Sequence, residues 1–220
     1  MIGRSKIGKT AVLCFSPSGG GMEHDAAFMA EKINQYLGEC LLIVRRGTWL
    51  ENFAKDNEVP SVSISFRGNF SFQAIRQLRR LWHREEIRNV IFLGSSEIRS
   101  IHFSLSPSVE RFIVRHGTTK SSSKKDIVHR LIWSQVTAHW CISEHLKRNV
   151  EALFPVGRAK VFVNYVGLGD KLTCLPHAKP LSWDDDVLRL VHVGRLVPGK
   201  GQRDALEVIA QDPGLFMRPT

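Results

Sequence analysis

Leu190-Val191-His192-Val193-Gly194-Arg195-Leu196-Val197-Pro198-Gly199-Lys200-Gly201 is the stretch from which the fold is read. An apolar run from Val187 to Val193 predicts a buried strand. Gly194, Pro198, Gly199 and Gly201 interrupt it, and Asp204-Ala205-Leu206-Glu207-Val208-Ile209-Ala210 predicts a helix. Arg195 and Lys200 therefore fall in a strand-to-helix connection, close to a helix N-terminus. Open α/β sheets bind anions at such places, because unpaired backbone N–H groups and the helix dipole point at the ligand. Two fixed cations beside that dipole suit a diphosphate. A solvated basic loop is the other reading of the same spacing.

Towards the N-terminus, strand patterns alternate with amphipathic helix patterns along the whole chain. Thr10–Phe15 predicts a strand, followed by the loop Ser16-Pro17-Ser18-Gly19-Gly20-Gly21 and a helix with Ala26, Met29, Ala30, Ile33 and Leu37 on one side. Leu41–Val44 and Ser61–Phe66 predict further strands, and Phe72, Ile75, Leu78, Leu81 and Trp82 mark a helix. Val90–Leu93 and Phe112–Val114 are short strands separated by a weakly patterned helical stretch. Ile127, Val128, Leu131, Ile132 and Val136 mark the next helix, and Ala138–Ile142 the next strand. Ser143 is placed to cap a helix carrying Leu146, Val150 and Leu153, before a last strand at Val161–Val166.

Repeated strand–helix alternation implies an α/β fold, a Rossmann-like doubly wound parallel sheet covered on both faces. This first domain is expected over residues 1–175. Pro176, Pro180 and Asp184-Asp185-Asp186 mark a linker over residues 176–186. A second Rossmann-like domain is expected from residue 187, of which residues 187–220 hold only the first βα unit. A single βα unit cannot bury its own faces, so that domain is expected to be incomplete.

With 43% hydrophobic and 24% charged residues in 220, the composition is that of an ordinary globular chain. No apolar run approaches the roughly 18 residues of a membrane span. Thr10-Ala11-Val12-Leu13-Cys14-Phe15 is short for a signal peptide and lacks a small-residue cleavage site, which points to a cytoplasmic protein. Cys14, Cys40, Cys141 and Cys174 are far apart and form no C-x-x-C, so reduced core thiols are expected. His139, Cys141 and His145 do not have the usual ligand spacings, and no metal is expected. The net charge of +10 implies anionic partners: phosphorylated ligands, acidic lipid or nucleic acid.

Gly3-Arg4-Ser5-Lys6-Ile7-Gly8-Lys9-Thr10 matches the P-loop letters, but a strand follows it where a helix is required. The match is a decoy. Gly19, Gly20 and Gly21 follow the first strand and open the first helix, the right context for a phosphate or sugar against backbone N–H groups. A tight turn is the plain alternative. A dinucleotide fingerprint would need glycine where His24 sits and an acid where Arg45 and Arg46 stand. Those arginines would accept the extra phosphate of NADP, which keeps an NADP-dependent oxidoreductase as a rival, although neither tyrosine starts a Y-x-x-x-K pair.

His116, closing the Phe112–Val114 strand, is expected to point its imidazole into the same crevice as the glycine loop; ordinary hydrogen bonding is the alternative. Ser121-Ser122-Ser123-Lys124-Lys125 after it reads as a mobile loop. Asp184-Asp185-Asp186 contains D-x-D, yet it precedes a strand where a chelating pair should follow one, and a solvated linker is the better account. The 72–84 helix carries Arg76, Arg80, His83 and Arg84 opposite its apolar stripe, with Arg79 nearby. Such a face rests on anionic lipid or is simply solvated. No aromatic platform supports nucleic-acid binding.

Val193-Gly194-Arg195-Leu196 followed by Lys200-Gly201 resembles the donor-site motif of family 4 retaining glycosyltransferases, enzymes of the two-domain GT-B fold. The resemblance extends to the glycine loop, His116, the Ile142-Ser143-Glu144-His145-Leu146-Lys147 stretch and Val161–Gly167. It implies that Gly194, Arg195 and Lys200 hold the diphosphate of a nucleoside-diphosphate sugar, with Gly19, Gly20 and Gly21 facing the donor phosphates. It implies that His116 contacts the donor sugar, making His116, Arg195 and Lys200 the catalytic candidates. The sugar donor is then a co-substrate, and no cofactor is required.

The Arg115–Lys125 segment resembles bacterial enzymes that build the lipopolysaccharide core. This implies hexosyl or heptosyl transfer, with retention, to a glycan or glycolipid, in a protein peripheral to the cytoplasmic face of the inner membrane. The family's Glu-x7-Glu motif is absent, since Glu207 is the sole glutamate after Lys200. The second domain is therefore expected to be truncated and residues 1–220 alone to have little transferase activity. A GT-B epimerase or phosphorylase and a non-catalytic basic membrane- or nucleic-acid-binding module are the remaining alternatives.

Overall fold

β1 (Thr10–Cys14) is buried along its whole length because it is an inner strand of the sheet. An inner parallel strand is covered on both faces, which is why its sequence is a continuous apolar run. The computed structural model describes residues 8–167, 190–194, 196–197 and 200–211. After β1 come α1 (Gly21–Leu37), β2 (Cys40–Arg45), α2 (Trp49–Asp56), β3 (Ser61–Ile64), α3 (Phe72–Arg84) and β4 (Asn89–Leu93). Then follow α4 (Ile98–Ser104), β5 (Arg111–His116), α5 (Ile127–Trp133), β6 (Ala138–Cys141), α6 (Glu144–Leu153) and β7 (Lys160–Val163). The last described element is α7 (Gln202–Gln211).

The seven strands form one parallel sheet in the order β3-β2-β1-β4-β5-β6-β7. Leu13 sits in register between Ile43 of β2 and Phe92 of β4. Alternation along β1 sends Ala11, Leu13 and Phe15 into one core with Leu78, Trp82, Phe92, Phe112 and Phe154. Val12 and Cys14 enter a second core with Ala26, Ala30, Leu42, Leu50 and Ala54. Helices therefore cover both faces, and the architecture is the expected Rossmann-like α/β sheet.

Local signals explain where several helices start. Ser71, Asp126 and Ser143 each accept a hydrogen bond from the backbone N–H three residues on, capping α3, α5 and α6. Gly20 caps α1 without any side-chain acceptor.

Some expectations fail. α2 has no counterpart in the sequence reading, although Leu50, Phe53 and Ala54 carry its apolar spacing. Phe72, expected on the buried stripe of α3, is 74% exposed, because it lies to one side of the face formed by Ala74, Ile75, Leu78, Leu81 and Trp82 and packs against Phe70 instead. In α5 only Ile132 and Trp133 are buried, while Ile127, Val128 and Leu131 face out. Val136 is buried beyond that helix's end. Cys14, Cys40 and Cys141 are buried free thiols, each pushed up by burial, to about 12, 12 and 11.

The chain divides into two units, residues 1–170 and 171–220. In the second, α7 forms where a helix is expected, but residues 190–193 form no strand and Val193 is 89% exposed. A strand needs a hydrogen-bonded neighbour, and among the described residues this segment has none. No helix of the described residues is long and apolar enough to cross a membrane.

Candidate functional site

Strand order reverses between β1 and β4: the chain runs outward from β1 through β2 to β3, then returns to β4 on the other side. The loops leaving neighbouring strands there diverge and open a crevice at their carboxyl ends. A cavity of about 440 Å³ occupies this place, lined from β1 by Ser16 and Pro17, from β4 by Gly94–Glu97, and from β5 by Arg115–Thr118 and Lys120. Gly94 makes the turn at the end of β4. Its φ is +148°, and a Cβ there would lie 2.9 Å from the Phe92 ring, so no other residue fits without strain.

Glu97 is the carboxylate of this cavity. It is 8% exposed, and burial pushes its pKa up although Arg45 lies 3.4 Å away. Arg45 stands at the carboxyl end of β2 and also packs over the Phe66 ring at 5.4 Å. With its guanidinium turned to Glu97, Arg45 is not displayed for a ribose phosphate. Glu97 is suited to accept hydrogen bonds from sugar hydroxyls. The sequence signal for it was Gly94-Ser95-Ser96, three small residues closing the Val90–Leu93 run.

The β5 end divides two ways by strand alternation. Arg115 faces α1, where it pairs with Asp25 and lies 5.5 Å over the Trp140 ring. His116 faces the other core. From the sequence its imidazole is expected to point towards the glycine loop; the ring instead stacks with Trp133 and His139 and meets the Phe154 ring edge-on. Its Nε2 lies 3.0 Å from His139 Nδ1, and burial drives its pKa down to about 3 and that of His139 to about 4. His116 lines the cavity but is 5% exposed, so it contributes as a neutral, anchored ring. It is Arg115, to which the sequence gives no role of its own, that reaches the helix opened by the glycines.

Gly19, Gly20 and Gly21 lie between Pro17 and Met22, which line the cavity, but do not line it themselves. Gly19 has a packing reason: a Cβ there would come within 2.9 Å of the Trp49 ring. His24, at the place of a fingerprint glycine, packs at a tilt against Trp49 with centroids 4.5 Å apart. Thr10 opens β1, so the P-loop letters do run into a strand.

Of the donor motif, Gly194 and Lys200 are described; Arg195, Pro198 and Gly199 lie outside the described residues, as do Asp184–Asp186 and Cys174. Lys200 is exposed, its N–H donating to the Val197 carbonyl at 3.3 Å, and Gly201 with φ +78° turns the chain into α7. Among the described residues no three His, Cys, Asp or Glu side chains are grouped so as to hold a metal ion.

The Ser121–Lys125 loop, expected to be mobile, is tied down. Asn149 of α6 grips Lys120 through both backbone groups at 2.9 Å, and the Lys124 N–H donates to the Leu153 carbonyl at 2.7 Å.

Solved structures share this architecture. Anabaena Alr3699/HepE in complex with UDP and glucose superposes with a TM-score of 0.70 at 14% identity, over 96% of this chain and 60% of its own. Its complex with UDP gives 0.65 at 15% identity, over 94% and 58%. A glycosyltransferase from Rickettsia africae gives 0.59 at 11% identity, over 76% and 46%. The fold is that of GT-B glycosyltransferases. At these identities the likeness is one of fold alone, and the chain spans no more than about three-fifths of these neighbours. No family model and no curated protein matches the sequence.

Proposed function

We propose that this chain is a nucleotide-sugar glycosyltransferase, moving a hexosyl or heptosyl group from a nucleoside diphosphate to a glycan or glycolipid with retention of configuration. The observation that carries the reading is the switch-point cavity with its carboxylate, Glu97, in a fold whose solved neighbours include a protein bound to UDP and glucose. In this reading the acceptor hydroxyl lies in the cavity and hydrogen-bonds to Glu97. Arg195 and Lys200 neutralise the diphosphate as the bond from the sugar's anomeric carbon to the phosphate oxygen breaks. The acceptor oxygen forms the new bond to that carbon, and its proton passes to a donor phosphate oxygen. His116, uncharged and anchored by His139, gives the donor sugar a hydrogen-bonding wall. No metal or redox cofactor enters this scheme.

Titration of UDP-glucose and UDP-galactose into the purified chain tests the donor side. Heat or fluorescence changes are expected for at least one sugar, with Arg195→Ala and Lys200→Ala each weakening binding about tenfold or more, the scale of one lost charge-assisted contact. Binding untouched by both substitutions would sink the assignment.

A membrane-bound acceptor is supported by the surface of α3 and α4. Phe70, Phe72 and Phe103 are exposed and touch edge-to-face, with centroids 5.1 and 5.9 Å apart, beside the exposed Arg76, Arg80 and Arg99. Exposed aromatic rings among cations suit the interface of an anionic bilayer. Cosedimentation with phosphatidylglycerol-containing vesicles is expected, falling several-fold with Phe72→Ser and with added salt; equal binding to pure phosphatidylcholine would refute it.

A further inference from the structure

Beside the switch-point cavity lies a second hollow of about 350 Å³, formed where α4, the 117–126 loop and α5 meet. Three cations line it, Arg99, Lys120 and Lys124, and His129 joins them. No Asp or Glu is among its lining residues. Among the described residues, none of Arg99, Lys120 and Lys124 has a carboxylate partner; Asp126, which follows Lys124 by two residues, is taken up by His129. In the first cavity Arg115 is matched by Asp25 and Glu97 stands in the lining, so that only Lys120, which borders both hollows, lacks an acid there among the described residues. Like charges gathered in one hollow repel, and a fold keeps them together only at a cost. A bound anion removes that cost.

The arrangement is also held in place. Asn149 fixes the Lys120 backbone and the Leu153 carbonyl fixes that of Lys124, so both ammonium groups spring from an anchored loop. Ser95, Ser96 and Lys120 line both hollows, which makes the two neighbours along one wall. A ligand with a hydroxyl beside Glu97 would meet Lys124 by extending an anionic group across that wall.

We infer that this hollow is a phosphate-monoester subsite, and that the acceptor is a phosphorylated glycan or glycolipid whose phosphate lies among Arg99, Lys120 and Lys124. A monoester carries about −1.5 to −2 charges near neutral pH and three acceptor oxygens. Three cations and two serine hydroxyls meet that demand better than they meet a neutral sugar. The inference rests on the acceptor side of the proposed function, and it is independent of the donor motif.

Glucose 6-phosphate, glucose and UDP are titrated separately into the 220-residue chain and followed by calorimetry, and vesicles of phosphatidic acid in phosphatidylcholine are tested by cosedimentation. Three variants are compared: Lys120→Gln/Lys124→Gln in the hollow, Arg158→Gln/Lys160→Gln as a charge-matched change at the exposed start of β7, and Arg195→Ala/Lys200→Ala in the donor motif. Glucose 6-phosphate is expected to bind where glucose does not. The hollow variant should weaken it about tenfold, while the β7 and donor variants change it less than about twofold. Loss with glucose 6-phosphate assigns a phosphosugar, and loss with vesicles alone assigns a lipid phosphate. Equal loss in the β7 variant, loss following only the donor variant, or no loss with either probe overturns the subsite. UDP binding that persists in the hollow variant and fails in the donor variant would leave the transferase reading standing even then.

Discussion

Asp25→Ala is expected to destabilise the fold by about 3 kcal/mol, among the largest effects of any single substitution in the described residues. Asp25 sits on α1 and pairs with Arg115, whose side chain is 5% exposed at the end of β5. Burial raises the pKa of Asp25 despite the arginine, and burial lowers that of Arg115 despite the aspartate. Both shifts say that desolvation outweighs attraction, so the pair as a whole contributes little net stability. Removing one member is a different matter, because it leaves a guanidinium buried against Trp140 with no counter-charge. The Nε of Arg115 already has no hydrogen-bond partner. The double variant Asp25→Ala/Arg115→Met should therefore recover most of the loss. Urea unfolding of the two variants decides the point: a double variant no more stable than the single one would show that the cost was lost packing and not an orphaned charge.

The second large effect is on the response to acid. His116 and His139 are buried, share one hydrogen bond, and are held neutral by desolvation, with pKa values near 3 and 4. His102 is shifted the same way by burial. Above the ordinary imidazole value of 6.5 both folded and unfolded chains are neutral at these sites, and their contribution to stability is complete. As pH falls below 6.5, the unfolded chain takes up protons that the folded chain refuses, so stability drops until the folded pKa values are reached. The slope approaches about 1.4 kcal/mol per pH unit for each buried histidine. Unfolding midpoints should therefore fall steeply between about pH 6.5 and pH 4, above the point where Glu51, held down to about 2 by its hydrogen bonds from Ser63 and Gly47, protonates. A His116→Leu/His139→Phe variant should lose most of that slope, retaining the part due to His102. A flat wild-type profile across that window would mean that the two rings are not a buried neutral pair.

The alternation of strands and helices was legible because apolar runs and amphipathic stripes are local properties. Ser143 was identifiable as a cap for the same reason, and α7 formed where its spacing placed it. The failures are also physical. Leu190–Val193 has the composition of a buried strand, but a strand exists only against a partner, and among the described residues none is present. Phe72 is apolar and close to the stripe of α3, yet it lies to one side of the face that Ala74, Ile75 and Leu78 bury. The glycine loop fits both a ligand cradle and a tight turn by its sequence, and the packing of Trp49 on Gly19 gives one of its glycines a structural reason.

The candidate site was less legible than the fold. His116 was selected as a lone histidine after a strand, while alternation turns it into the aromatic core and turns its neighbour Arg115 towards α1. One residue of strand register separates the two outcomes, because successive side chains point to opposite faces. Glu97, Arg45, Asp25 and Arg115 are distant in sequence, and no motif links them. What the amino-acid order determined by itself was the set of elements and a strongly cationic surface, since propensity, periodicity and net charge are sums over neighbouring or individual residues. Which loops share a crevice, which cations remain without acids, and which imidazole is exposed were decided only by the order of strands in the sheet. That order brings together chain segments tens of residues apart, and a contact between such segments leaves no trace in the local pattern of either.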